Sequence, residues 1–108
     1  MTVKNLSESA GIKKVCMPDG DREIEGVYCG DLLSWVMGRA QEGDAWITIM
    51  TNINVVAVAS LSDVACVILA EGVSLDEDAL KAANDKEINV LGSQMSTYEL
   101  AVLLGKTL

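Results

Sequence analysis

The chain has 108 residues, half of them apolar, with 8 Lys+Arg against 16 Asp+Glu and no His. This is enough for one core and too little for two. A net charge of −8 repels phosphate backbones and anionic lipid heads, and the lack of His excludes Ser-His-Asp and Cys-His catalysis and imidazole metal ligands.

A short helix is predicted from Thr2 to Ala10, capped by Thr2 and ended by Gly11, with Val3, Leu6 and Ala10 on one face. Ile12 to Met17 reads as a brief extended segment. Pro18-Asp19-Gly20-Asp21 then gives a turn. Ile24 and Val27 to Cys29 form a strand closed by Gly30. Asp31 to Ala40 is helix-like and leads through Gly43-Asp44 to the strand Ala45–Met50.

Thr51-Asn52 caps a second helix reaching Leu61. Its β-branched residues also suit a strand, but Ser62-Asp63 is too short to join parallel neighbours. Val64–Ala70 is near-continuously apolar, as in a strand covered on both faces. Ser74 and Glu77 read as a capping box, with Asp76, Glu77 and Asp78 at the positive end of the helix dipole. Ile88–Leu91 is the last strand. Ser96 and Glu99 form another capping box, with Met95 and Leu100 as its hydrophobic staple.

Alternating strands and helices imply an α/β domain spanning 1–108. The expected architecture is an open parallel four-stranded sheet flanked by helices. Its strands lie near 25–29, 45–50, 64–70 and 88–91, with an extra N-terminal helix and short strand at one edge.

The polar clusters are weak as chemistry. Asp19, Asp21, Glu23 and Glu25 fail the calcium-loop pattern, since the sixth residue from Asp19 is Ile24 and the twelfth is Gly30. They read as a solvated turn with a local Arg22 ion pair to Asp21 or Glu25. Neither G-x-x-x-x-G-K-[ST] nor G-x-G-x-x-G occurs. Cys16, Cys29 and Cys66 form no C-x-x-C pair; Cys29 and Cys66 read as buried structural thiols, and Trp35 and Trp46 as packing residues. No signal peptide or membrane-length apolar run is evident, so a cytoplasmic protein without metal or cofactor is expected.

Ligands of open α/β sheets bind at the carboxyl edge, where helix N-termini offer free N–H groups. The candidate ligand residues there are Gly30, Asp31, Thr51, Asn52 and Gly72, with Gly92-Ser93-Gln94 nearby. Helices 31–40 and 53–61 read as apolar nearly all round, which calls for burial on two sides. A homodimer is the simplest partner, with Leu33, Val36, Met37, Val55, Val58 and Ala59 as the expected interface.

The succession Asp21-Arg22-Glu23-Ile24-Glu25-Gly26-Val27-Tyr28-Cys29-Gly30-Asp31, then Gly43–Asn52, Cys66–Gly72 and Ser96–Ala101, resembles the DRTGG domain family over nearly the whole chain. The resemblance implies an α/β module similar to the N-terminal domain of HPr kinase/phosphorylase. Such modules also occur as inserts in large phosphotransacetylases and CBS-containing pyrophosphatases, as regulatory or dimerising accessories rather than catalytic parts. No catalytic domain is expected to accompany this one. Where relatives often carry a Gly-Asp-Arg-like turn, this chain has Thr51-Asn52-Ile53-Asn54, and the loss of Arg weakens an inherited anion site. The expected function is a non-catalytic regulatory module that homodimerises, takes a small anionic metabolite or nucleotide, or docks on a larger enzyme. The alternative is a small enzyme using Cys29 or a carboxylate pair such as Asp31 with Asp44.

Overall fold

Successive strand residues face opposite sides of a sheet, so a sheet whose strands are apolar throughout needs cover on both faces. The computed structural model describes Met1–Leu108 and has this arrangement. Its elements are α1 (Val3–Ser7), β1 (Ile12–Cys16), β2 (Gly26–Cys29), α2 (Leu33–Arg39), β3 (Asp44–Thr48), α3 (Ile53–Ser62), β4 (Cys66–Leu69), α4 (Glu77–Asp85), β5 (Val90–Ser93) and α5 (Thr97–Thr107). Trp46, Val67, Leu69 and Val90 enter one core with residues of α2, α3 and α4. Ala45, Ile47, Cys66, Ile68 and Leu91 enter a second core with α1 and α5. Every residue of β3, β4 and β5 is buried.

The sheet corrects the expected architecture. It is mixed and five-stranded, in the order β1-β5-β4-β3-β2, rather than an open parallel sheet of four. Strands β2 to β5 pair in parallel, and β1 adds to β5 in antiparallel sense. Without β1, the buried strand β5 would end the sheet with a row of unpaired backbone groups. Gly92 makes room for this pairing: a Cβ there would meet the Lys13 stem at 3.1 Å and Val15 at 3.4 Å. The short Ile-Lys-Lys-Val-Cys segment carries no local signal of its partner or direction.

Boundaries shift as well. β5 begins two residues later than expected and takes in Gly92 and Ser93, which had read as a loop. Helix α1 ends at Ser7, well before Gly11. The Ser74–Glu77 capping box does not form, because α4 starts at Glu77 with Asp76 as its N-cap. The Ser96–Glu99 box does form, as does a Thr2–Asn5 box on α1. The ambiguous segment is the helix α3, and Asp63 ends it in a left-handed conformation at φ 54°.

Position explains why α3 is so apolar. It lies between α2 and α4 on the sheet, so its flanks are covered as well as its base. Val55, Val56, Val58 and Ala59 are therefore all buried within the chain. Arg22 holds the end of this helix. Its guanidinium donates to Asp63 Oδ1 at 3.0 Å and to the Asp63 carbonyl at 2.8 Å, in place of the expected local ion pair with Asp21 or Glu25. At the same amino edge, the buried Asn89 amide bonds the Asp19 backbone in both directions and donates to the Ala65 carbonyl, tying the Pro18–Asp21 turn to the sheet.

Candidate functional site

The parallel strands deliver Gly30-Asp31, Thr51-Asn52 and Glu71-Gly72 to one edge, following β2, β3 and β4. Sharing an edge is not the same as forming a cleft. The strands run in sequence order from β2 to β5, so the crossovers never reverse and no switch-point crevice separates them. No pocket opens at this edge or elsewhere in the chain.

Most polar groups at the edge are engaged within the fold. Asp31 does not cap α2, whose N-cap Leu32 makes no side-chain bond. Asp31 Oδ1 instead accepts from Thr48 Oγ1 at 2.7 Å and from the Ile49 amide at 2.9 Å. The Gly30 carbonyl accepts from Trp46 Nε1 at 2.8 Å, and the Gly30 amide donates to the Ile47 carbonyl. Asn52 caps α3 by accepting from the Asn54 amide at 2.9 Å. The Gly72 amide donates to the Ser93 carbonyl, and φ of +72° with the Gln94 side chain alongside leaves little room for any other residue there. The Thr51 carbonyl accepts from the Asp76 amide, while the Thr51 hydroxyl makes no hydrogen bond within the chain.

Five partners in this network, Trp46, Ile47, Thr48, Ile49 and Asp76, were not nominated as ligand residues from sequence. The one available signal was Thr48, a polar residue closing the apolar run Ala45-Trp46-Ile47. Exposed Asp31, Glu71, Asp76, Glu77 and Asp78 make the surroundings acidic. A bare anion meets repulsion here.

The residues of the alternative, enzymatic reading stand apart. Asp44 opens β3 and accepts from the Gln41 amide at 2.8 Å, whereas Asp31 binds the opposite end of that strand at Thr48. They form no carboxylate pair. Cys29 is exposed rather than buried, correcting the expectation. Its sulfur is nonetheless partly shielded, and desolvation, then the Asp31 carboxylate, push its thiol pKa up. That is the opposite of activation. Cys66 is wholly buried and its thiol is pushed up to about 12 by desolvation.

Of the residues expected at a dimer interface, Val36, Val55, Val58 and Ala59 are enclosed by the chain's own core, and Leu33 packs against it. Met37 alone is substantially exposed, at 50%. The apolar residues left on the surface of this layer are instead Leu32, Trp35, Met37, Ile53 and Leu61. Trp35, expected as a packing residue, is exposed, with the Arg39 guanidinium 3.9 Å over its ring.

No family model and no curated protein matches this sequence. The fold does have a solved counterpart. The CBS and DRTGG domains of the regulatory region of Clostridium perfringens pyrophosphatase, complexed with the activator diadenosine tetraphosphate, match with a TM-score of 0.74 and 14% identity. The match covers 94% of this chain and 45% of that one, so this chain spans less than half of its counterpart. The chain has the fold of part of that structure.

Proposed function

We propose that this chain is a non-catalytic regulatory module of the DRTGG type, which pairs with a second copy and answers to an adenine nucleotide or docks on the enzyme it serves. The fold match carries this reading, because the matched region is regulatory and its solved form holds a nucleotide activator. The cysteine chemistry supports it: the one exposed thiol, Cys29, is disfavoured as a thiolate. No helix is long and apolar enough to cross a membrane. A cytoplasmic setting suits its free thiols.

The start of α3 is the point we assign to the ligand. Thr51 has an uncommitted hydroxyl, and beside it the Ile53 amide at the start of α3 has no partner within the chain, the Asn54 and Val55 amides being held by Asn52, whereas Gly30, Asp31 and Gly72 shape the surface around them. The acidic rim requires the phosphates to arrive screened by Mg²⁺. Isothermal titration with ATP, with and without Mg²⁺, tests this. Binding with Mg²⁺ that weakens in Thr51→Ala is expected. Tight binding unaffected by Thr51→Ala and Asn52→Ala would place the site elsewhere, and no binding of any adenine nucleotide would remove the ligand from the proposal.

A further inference from the structure

The strand order places β1 at one edge of the sheet and β2 at the other, so residues 17–25 cross the starts of the strands between them. This strap is anchored in chain order. The Asn89 side chain, at the start of β5, accepts from the Asp19 amide at 3.0 Å and donates to the Asp19 carbonyl at 2.7 Å. Arg22 holds Asp63 ahead of β4, and the Glu25 amide donates to the Gly43 carbonyl ahead of β3. Between the first two anchors lies Asp19-Gly20, the one Asp-Gly or Asn-Gly pair in the sequence.

An Asp-Gly pair can rearrange its own backbone, because glycine puts no Cβ in the path of the attacking amide. The glycine nitrogen bonds to the protonated side-chain carboxyl carbon. The N–H proton and the carboxyl hydroxyl leave as water, and a five-membered succinimide closes. Water then reopens the ring. Where it cleaves the bond to the main-chain carbonyl, the hydroxyl stays on that carbon and the proton returns to the glycine nitrogen. The chain then runs through the aspartate Cβ and Cγ, one carbon longer, and the old main-chain carbonyl is a free carboxylate. Both reacting groups are at liberty here: Asp19 is exposed with no hydrogen bond or ion pair on its carboxyl, and the Gly20 amide donates to nothing. The two bonds from Asn89 oppose the reaction, because closing the ring must turn the Asp19 peptide they fix. We propose that Asp19-Gly20 is a site of spontaneous backbone isomerisation restrained by Asn89, and that the isomerised strap no longer fits its anchors.

The added carbon falls between the Asn89 and Arg22 anchors. The Asp19 carbonyl, which accepts from Asn89 and from the Arg22 amide, becomes a carboxylate outside the main chain. Keeping Asn89 in place then draws Arg22 away from Asp63 and the end of α3. Releasing Asn89 instead disturbs its third bond, to the Ala65 carbonyl. One reaction thus loosens the starts of β4 and β5. It lies at the opposite edge of the sheet from Thr51 and is independent of the function proposed above.

The test is to age the whole chain in mildly acidic buffer and digest it with trypsin, which releases residues 15–22 as one peptide. A second form of that peptide, equal in mass and different in retention, should accumulate. Asp19→Glu, which would have to close a six-membered ring, should give none. The urea-unfolded chain should react faster than the folded one. Asn89→Ala should raise the folded rate by about fivefold to a hundredfold, through the loss of two bonds that hold the turn. Val56→Ala, a core change in α3, serves as the control for general loss of stability and should raise the rate far less. Hydrogen exchange needs no variant: the Asp19 amide should be protected while the Gly20 amide exchanges at once. The isomerised chain, separated from the fresh one, should melt at a lower temperature. No isomerised peptide even in urea, equal rates folded and unfolded, an Asp19 amide as labile as that of Gly20, or equal acceleration in Asn89→Ala and Val56→Ala would each overturn the inference. An isomerised chain as stable as the fresh one would overturn the loss of fit.

Discussion

Asp31 Oδ1 accepts the Thr48 hydroxyl across 2.7 Å, joining the end of β2 to the end of β3. Thr48 is 1% exposed, and its oxygen in turn accepts from the Met50 amide. The carboxylate thus organises the turn that leads into α3. Asp31→Ala leaves a buried hydroxyl donor unpaired and is expected to lower stability by about 1–3 kcal/mol in urea unfolding. Asp31→Asn keeps an acceptor oxygen and should recover part of that loss. Equal effects of the two changes would show that the hydrogen bond contributes nothing.

Val58→Asp places a carboxylate where the side chain is sealed by the sheet and the neighbouring helices; Val58 is 6% exposed. The expected cost is about 3–5 kcal/mol, a large part of the stability of a domain this size. The change should unfold the chain rather than separate folded copies. Exposed Lys81 is a fair control, and Lys81→Ala should shift the urea midpoint very little. A Val58→Asp chain with wild-type circular dichroism and melting temperature would contradict the assignment of α3 as the middle helix of its layer.

Comparing sequence with structure, what was legible was what repeats. Parallel strands with covering helices follow from apolar runs and caps, and the α3 assignment followed from the two residues left for a connection. Two things were not legible. The partner of Ile12–Cys16 lies some eighty residues away at Val90–Ser93, and nothing local to either segment names the other. The apolar surface of α3 suggested an outside partner, although α2 and α4 already cover it. Periodicity shows that a face is buried without showing by what. The same limit applies to the site: Thr51 and Asn52 could be placed at the sheet edge by counting, but the Asp31–Thr48 bond depends on two strands meeting.

Cys66 makes stability fall at alkaline pH. Its thiol titrates near 9.0 when unfolded and near 12 in the fold, so above pH 9.0 the unfolded chain has lost a proton that the native chain keeps. Stability therefore declines between these values, by up to about 1.4 kcal/mol per pH unit from this group. Cys66→Ala should be less stable at neutral pH, through the cavity it leaves, yet show a shallower decline from pH 9.0 toward 12. Parallel stability curves for the two chains would rule out this thiol as the cause.

The central claim is that the chain binds a nucleotide at the start of α3 and does no chemistry on it. Nuclear magnetic resonance reads both halves in one sample of the isotope-labelled chain with Mg-ATP. The account predicts amide shifts concentrated at Thr51, Asn52 and Ile53, with phosphorus signals of ATP that stay unchanged over hours. Loss of the γ-phosphate signal that is absent without protein, or a titration that moves no amide at this edge, would contradict it.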